Sequence, residues 1–448
     1  MIDDLVSDIS LRIVASSGKK RSPTNKEYFR LSYAVRHLLT DMWKSLSSVP
    51  QRECTINLRN GYYSENQRYR DPNLTYRQIK SAYDWMVGSG LIHVTKIGFL
   101  DRNRGEGQVT RFAPLDELTE RLGAIDHHPA IFFEPDLNAE TIILRDTINH
   151  RTSDFDYKDT PKTDEYRANL KAINQCFLRH WADIQIKDSE YEALGKQISN
   201  HNTKQPIDLS KRTLVRIFSN GVFLEGGRFY RGWWQNVPSE YRKYITLDSK
   251  RTTEYDFSQI NPHMIYYSHH KNLGSEDAYD RVLNGEHRDL VKAAFNALIQ
   301  SATPLKNCPK DIDPSVADMS WAELRDRIIA AHKPIEECFG VGLGNRLQFE
   351  DSCIAESVML HFASMDAPAL PVHDSFIMHH GYAGELEEAM RRGFYERFKG
   401  DIPIKEEMLK WVKSDDSKPS TIDVDTIVEH MEPYSLWQKR HDFWWNRK

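Results

Sequence analysis

The first part of the chain alternates between helical and strand-like hydrophobic patterns. The stretch from Tyr33 to Val49 predicts one helix. A second helix follows Thr75, which suits an N-cap, and ends near Gly88 and Gly90. The β-branched and aromatic stretches LIHVTKIGF and VTRFAP predict two strands on either side of the polar loop DRNRGEGQ. The residues of the second helix that fall at helical spacing, and so face a core, are Ile79, Ala82, Tyr83 and Met86.

This order of helix, strand, basic loop and strand predicts a winged helix. Basic side chains on its second helix and its wing suit contacts with phosphate groups, so DNA binding is one interpretation. The other interpretation is a purely structural or protein-binding winged helix. The residues predicted to contact nucleic acid in this region are Arg77, Lys80, Arg102, Arg104 and Arg111.

Later segments change in character. The sequence becomes loop-like between residues 120 and 160, where we expect a domain boundary, and residues 160–220 are predicted to be largely helical. A further helix is predicted from residue 346 to residue 362, with Asp351 and Glu356 solvated on it. Aromatic side chains near the end of the chain fit either a docking tail or ordinary packing, and they include Trp437, Phe443, Trp444 and Trp445.

Composition narrows the class of protein. The 448 residues suggest two or three domains, and 40% hydrophobic residues suffice for sizeable cores. A net charge of −5 excludes a uniformly basic surface, so any contact with nucleic acid depends on local positive charge. The five cysteines are too widely spaced for a zinc knuckle or a redox pair. Without a signal-peptide pattern or an apolar run of about 18 residues, we expect a cytoplasmic protein that has no membrane partner.

Two aspartates occupy positions that favour metal-ion chemistry. Asp256 follows a strand-like stretch and precedes a helix that begins near Pro262, while Asp374 lies at the tip of an apolar hairpin, ALPVHDSFIMHH. A carboxylate between buried strands is costly unless its charge is neutralised, which a shared divalent cation would do. Paired carboxylates that hold two metal ions are what phosphoryl transfer requires.

Between the two aspartates, the segment HRDLVKAAFNALIQSA predicts an amphipathic helix. Its polar face offers cations suited to the phosphates of a nucleotide, although a solvated helix face has the same pattern. The residues of this polar stripe, four apart, are Arg288, Lys292, Asn296 and Gln300.

Four short motifs, in this order, resemble those of family A DNA polymerases and single-subunit phage-type RNA polymerases. QNVP at 235–238 is similar to QNIP, and DFSQI at 256–260 is similar to motif A, DYSQI. Arg288 and Lys292 match the Arg-x-x-x-Lys of the fingers helix, and VHDS at 372–375 is similar to motif C. The resemblance covers roughly residues 220 to 400.

The resemblance implies an α+β fold with an antiparallel polymerase palm and reduced helical fingers, in addition to the winged helix. Two Mg²⁺ (or Mn²⁺) ions would be held by Asp256, Asp374 and the carbonyl of Phe257. Arg288 and Lys292 would bind the nucleoside triphosphate. The sugar and base pocket would be lined by Asn261, Asn296 and Gln300. Contacts with a DNA primer–template would come from Arg228, Arg231, Gln235, Asn236 and His373.

The chain is predicted to have four parts. They are the winged helix at 1–125, a helical connector or thumb at 126–220, palm and fingers at 221–405, and a tail at 406–448.

Three departures from the family affect nucleotide choice. Asn261 stands where motif A has a glutamate that helps to exclude a 2′-hydroxyl, and Asn296 and Gln300 replace two aromatic rings. Ser375 replaces the glutamate of motif C and matches the phage-type RNA polymerases. The short spacing between motifs predicts small fingers, and the first 220 residues leave no room for a proofreading exonuclease.

Three functions therefore compete. The first is template-directed DNA synthesis without proofreading. The second is RNA synthesis by a polymerase or primase, or template-independent addition by a terminal transferase. The third belongs to another class, a catalytically silent regulator that binds DNA.

Overall fold

A computed structural model of the chain shows a mixed α+β fold. Among the described residues, no helix combines the length and the apolar character needed to span a bilayer. The described ranges are 2–18, 20–64, 67–101, 106–132, 135–148, 151–200, 206–274, 276–407 and 433–447.

The N-terminal unit combines helices with a small antiparallel sheet. Its elements are α1 (Ile2–Ser16), α2 (Asn25–Leu46), β1 (Cys54–Ile56), α3 (Asn60–Ser64), α4 (Tyr76–Gly88), β2 (Ile92–Lys96), β3 (Phe99–Asp101), β4 (Glu106–Gln108), β5 (Thr110–Pro114) and α5 (Asp116–Gly123). The sheet has the order β1-β5-β2, and β3 and β4 pair separately beyond it.

The two predicted helices of this unit are present. Thr75 is the N-cap residue of α4, and the four residues predicted to face the core are buried. The helix predicted to begin at Tyr33 begins earlier, at Asn25, because Thr24 and Glu27 form a capping box that satisfies the first N–H groups. The apolar residues of α1, α2, α4 and α5 form one hydrophobic cluster with those of the sheet.

The segment after this unit contains strands as well as the predicted helices. Its elements are α6 (Pro129–Phe132), β6 (Ile142–Ile148), β7 (Arg151–Phe155), α7 (Pro161–Arg179), β8 (Ala182–Ile184), α8 (Asp188–Ser199), β9 (Val215–Phe218) and β10 (Gly226–Tyr230). A four-stranded sheet has the order β10-β9-β6-β7, in which only β6 and β9 run parallel.

The central sheet carries the candidate site. Its remaining strands and the helices around it are α9 (Ser239–Arg242), β11 (Ile245–Leu247), β12 (Lys250–Phe257), α10 (Ile260–Ser268), α11 (Asp280–Leu283), α12 (Arg288–Gln300), α13 (Trp321–Ala331), α14 (Gly344–Ser364), β13 (Leu370–Val372), β14 (Ser375–His379), α15 (Ala383–Phe398), β15 (Ile404–Glu407) and α16 (Ser435–Asn446). The strand order is β13-β14-β12-β11-β8, and β15 pairs with the end of β12.

One hydrophobic core joins the central sheet to the four-stranded sheet. It runs from Ala130 to Trp444, so the predicted connector at 126–220 shares its core with the predicted palm. Helix α16 packs on this core: Trp444 is 4% exposed and stacks on Trp181, and the buried Arg440 pairs with Asp183 at 2.8 Å. The aromatic end of the chain is thus partly packed, while 408–432 lie outside the described residues.

Candidate active site

Asp256 and Asp374 come together where the neighbouring strands β12 and β14 of the central sheet meet the β13–β14 turn. Asp256 is the partner of Ser375 in the register of β12 and β14, so it is adjacent to the turn that holds Asp374. The N–H of Phe257 also points to the carbonyl oxygen of Asp374, at 3.5 Å. Antiparallel pairing thus brings together two residues that are more than one hundred positions apart in the sequence.

The β13–β14 turn consists of His373 and Asp374 between the paired residues Val372 and Ser375. His373 has a φ of 57°, in the left-handed region that non-glycine residues seldom adopt and that recurs at functional sites. Burial lowers the pKa of His373, and the neighbouring Arg228 lowers it further. The imidazole is therefore neutral around pH 7.

The Ser375 hydroxyl is engaged by a neighbouring carboxylate and by a backbone carbonyl. It lies 2.6 Å from Glu254 Oε1 and 3.0 Å from the carbonyl oxygen of Val372, and Glu254 pairs with Arg242 at 2.6 Å. A glutamate at position 375 would set a second carboxylate against Glu254 in a buried place, which is unfavourable. This contact is a structural reason for serine in motif C that is independent of nucleotide choice.

Helix α12 forms the opposite wall. Arg288 is held by Asp277 at 2.7 Å, and this hydrogen bond raises the pKa of Arg288. Lys292 lies one turn later and is exposed. Asn296, one turn further, accepts a hydrogen bond from Asn261 Nδ2 at 3.0 Å, which links α12 to α10.

These two walls enclose a cavity of about 680 Å³, within the size range of about 300–1,000 Å³ that is typical of ligand sites. Both aspartates line it, with Phe257 and Asn261 beside them. Four cationic side chains face these two carboxylates, and they are Arg228, Arg288, Lys292 and Lys405. The excess of positive charge suits a polyphosphate.

The donors for a metal ion at this site are oxygen atoms. The carboxylates of Asp256 and Asp374 line the cavity together with Phe257, whose backbone carbonyl is a further oxygen. Mg²⁺ and Mn²⁺ prefer such ligands, and no thiol or second acidic cluster lines the cavity among the described residues. The residues therefore fit a hard divalent cation.

Arg228 reaches the cavity from β10 and is held from behind by Asp351. The Arg228 Nε lies 2.8 Å from Asp351 Oδ2, and Asp351 is 2% exposed. Glu356 is likewise paired, with Arg216 at 2.9 Å. The prediction that Asp351 and Glu356 are solvated is therefore wrong. The signal was present in the sequence: Asp351 shares the apolar face of α14 with residues three, four and seven positions away.

The stability of the fold is expected to fall as pH rises through the titration of Asp351. Burial raises the pKa of this carboxyl from 3.8 to about 7, Arg228 opposes the shift, and Asp374 adds to it. Between about pH 4 and about pH 7 the Asp351 carboxyl keeps its proton in the folded state but has lost it in the unfolded state. The contribution of this group to the free energy of unfolding is therefore fully present below about pH 4 and is lost as pH rises through about pH 7. Asp351→Asn should remove up to about 4 kcal/mol of this pH dependence, measured by thermal unfolding between about pH 4 and about pH 8. If the free energy of unfolding changes with pH equally in Asp351→Asn and in the unchanged protein, the prediction is contradicted.

Several predicted contact residues lie outside the cavity. Gln300 is exposed and packs against Gly344. The contact is so close that a Cβ atom added to Gly344 would lie 2.8 Å from Gln300 Cγ. Gln235 donates from Nε2 to the carbonyl oxygens of Phe229 at 2.9 Å and Pro371 at 3.2 Å, so it braces the strand before Asp374. Asn236 and Arg231 are not among the residues that line the cavity either.

The basic residues of the N-terminal unit are only partly available. Arg77 is exposed on α4, but Lys80 pairs with Asp84 at 2.5 Å and Arg111 pairs with Glu53 at 3.2 Å. Arg102 and Arg104 lie outside the described residues.

Three residues of the site were not predicted from the sequence. Lys405 is the register partner of Asp256 on β15, Tyr279 lies with its ring 5.2 Å from the Arg288 guanidinium, and Asp277 holds that guanidinium. Two of them line the cavity, and all three come from segments without a motif. The side chain of Gln259, the residue before α10, accepts a hydrogen bond from the N–H of Ala278. This bond holds the segment around Ala278 against the start of α10.

No protein-family model matches the sequence, and no curated protein matches it. Among solved structures, a match is found to the POL domain of Pol1 from M. smegmatis, in complex with DNA primer-template and dNTP. The identity is 13%, the TM-score is 0.29, and the match covers 90% of this chain and 65% of that one. A likeness at this TM-score carries no inference about function, so the function has to be inferred from the geometry of the site.

Proposed function

We propose that this chain is a metal-dependent nucleotidyltransferase that extends the 3′ end of a nucleic acid, by template-directed DNA synthesis without proofreading. One observation carries the proposal: Asp256 and Asp374 share a cavity with Arg288 and Lys292, which lie on the opposite wall. Paired carboxylates that face paired cations are the arrangement that transfer of a nucleotidyl group requires.

The residues of the two walls divide the work. Two Mg²⁺ (or Mn²⁺) ions held by Asp256, Asp374 and the Phe257 carbonyl would activate the 3′-hydroxyl and stabilise the pyrophosphate that leaves. Arg288 and Lys292 bind the triphosphate, and Asp277 keeps the Arg288 guanidinium directed toward it. Arg228, fixed by Asp351, and His373 lie beside Asp374 and contact the end of the primer.

RNA synthesis is the second candidate, and one contact favours it. The Asn261 amide is held by Asn296, so a short neutral side chain faces the sugar position instead of a glutamate. Single-nucleotide incorporation with each dNTP and the matching NTP separates the two candidates. A preference of about tenfold or more for dNTPs supports DNA synthesis, and the reverse preference would overturn it in favour of RNA synthesis.

We propose that the N-terminal unit is a winged helix that contacts DNA through α4. The order of α2, β1, α3, α4, β2 and β5, with the β3–β4 hairpin as the wing, supports this assignment. Arg77 is an exposed cation of α4.

Arg77→Glu is expected to weaken binding of duplex DNA about tenfold and to lower the salt dependence by about one counterion, because a phosphate contact is lost. Fluorescence anisotropy at several salt concentrations measures both. Arg327→Glu, which reverses an exposed charge on α13, is the matched control. If both variants bind DNA as the unchanged protein does, this unit is a structural or protein-binding module.

A further inference from the structure

A second group of potential metal ligands lies outside the cavity. Cys176 and His180 are four residues apart at the end of α7, and Asp366 lies in the turn after α14. One ligand atom from each lies within 4.8 Å of the other two. We propose that Cys176, His180 and Asp366 bind one Zn²⁺ ion, with water as the fourth ligand.

The spacing of the atoms suits tetrahedral zinc. Zinc bonds of about 2.0–2.3 Å place neighbouring ligand atoms about 3.3–3.8 Å apart at the corners of a tetrahedron. His180 Nε2 lies 3.4 Å from Asp366 Oδ1, which is long for a hydrogen bond and falls in this range. The Cys176 Sγ lies within 4.8 Å of both other ligand atoms, so a shift of at most about 1–1.5 Å completes the group.

The histidine is already oriented as a ligand. Its Nδ1 lies 2.6 Å from Asp248 Oδ2, and the other oxygen of Asp248 accepts the N–H of Trp181 at 2.9 Å. A metal-ligating histidine commonly donates its other ring N–H to a carboxylate, a backbone carbonyl or water, which fixes the orientation of the ring, and Asp248 is such a partner. His180 Nε2 is buried and makes no hydrogen bond within the described part of the chain.

Asp366 and Cys176 also have suitable surroundings. Arg179 donates to Asp366 Oδ1 at 2.7 Å, as donors outside a metal site commonly hold a ligating carboxylate. Asp366 is more than half exposed, so an ion enters from that side. Cys176 is fully buried, and burial raises the pKa of its thiol to about 11, so zinc would displace this proton on binding.

The position gives the ion a structural role. Asp366 precedes β13, which leads into the turn with Asp374, and Asp248 lies in the turn that leads into β12 and Asp256. An ion at this place ties α7 to the segment that leads into β12, which carries Asp256, and to the segment that leads into β13, which is followed by the turn with Asp374. The competing state is a protonated His180 between two carboxylates, since the hydrogen bond to Asp248 raises the pKa of His180.

Cobalt substitution tests the site independently of nucleotidyl transfer. The full chain carrying Asp256→Asn and Asp374→Asn, which removes the other divalent site, is titrated with Co²⁺ under reducing conditions. We expect one tightly bound ion, a thiolate-to-cobalt charge-transfer band, and displacement of that band by one equivalent of Zn²⁺. Cys308→Ser, which removes an exposed thiol elsewhere, should keep the band.

Cys176→Ser should abolish the band, and His180→Gln should weaken cobalt binding at least about tenfold while leaving the thiol in place. The second variant keeps the test decisive if the first does not fold. Zn²⁺ should also raise the melting temperature of the parent chain by a few degrees and leave that of His180→Gln unchanged. If the parent chain shows no charge-transfer band, or if Cys176→Ser and His180→Gln both show the same band as the parent chain, the proposed zinc site is wrong. The protonated His180 between two carboxylates is then the correct description.

Discussion

Asp256→Asn is expected to lower the rate of nucleotide incorporation by at least about 1,000-fold. The amide keeps the size of the side chain but removes the charge that would hold the metal ions, and a loss of about 4 kcal/mol of transition-state stabilisation corresponds to that factor. Because Asp256 lies at the end of β12 beside the turn with Asp374, the fold itself should be little affected. Single-turnover incorporation of one labelled nucleotide measures the change.

Glu406→Gln is the matched control for this variant. Glu406 lies on β15, one residue after Lys405, and its carboxylate accepts a hydrogen bond from Thr253 at 2.9 Å without lining the cavity. An amide preserves that hydrogen bond, so incorporation should stay within about twofold. If Asp256→Asn and Glu406→Gln incorporate nucleotides at the same rate, Asp256 has no part in the reaction.

Lys292→Ala is expected to reduce kcat/KM for the nucleoside triphosphate by about 100-fold. Hydrogen bonds between a charged donor and phosphate contribute about 1.5–3 kcal/mol each, which corresponds to about 10- to 150-fold. Lys292 has no ion-pair partner in the described part of the chain, so its whole charge is available to a ligand. Arg288, by contrast, shares its charge with Asp277.

The control for Lys292 is Lys333→Ala, at an exposed position just after α13, where Glu336 is its ion-pair partner. It should leave kcat/KM unchanged, and the two variants together separate a specific phosphate contact from a general loss of positive charge. If kcat/KM falls equally in both variants, the cations of α12 act only through the overall field.

Local pattern and short motifs predicted the parts of this molecule that depend on nearby residues. The helix that carries Arg288 and Lys292 follows from its four-residue spacing, and α4 follows from Thr75 and the apolar positions after it. Asp256 and Asp374 were predicted to act together through the resemblance and through the cost of a buried charge. The structure pairs β12, which carries Asp256, with β14, which begins directly after Asp374.

The features that the sequence did not predict depend on contacts between distant segments. Lys405 meets Asp256 only because β15 pairs with β12, and neither strand carries a signal for the other. The four-stranded sheet likewise depends on parallel pairing of β6 with β9, about seventy residues apart. Asp351 is a different case, because the helical period placed it on the apolar face although its charge suggested solvent.

The most direct test of the central proposal is primer extension with Mg²⁺ by the unchanged chain, with a matched template, a mismatched template and no template. We expect template-dependent addition of dNTPs that Asp374→Asn abolishes. Addition without a template would indicate a terminal transferase that uses the same site. No incorporation with dNTPs or NTPs under any of these conditions would contradict the account and leave the cavity as part of a silent, DNA-binding protein.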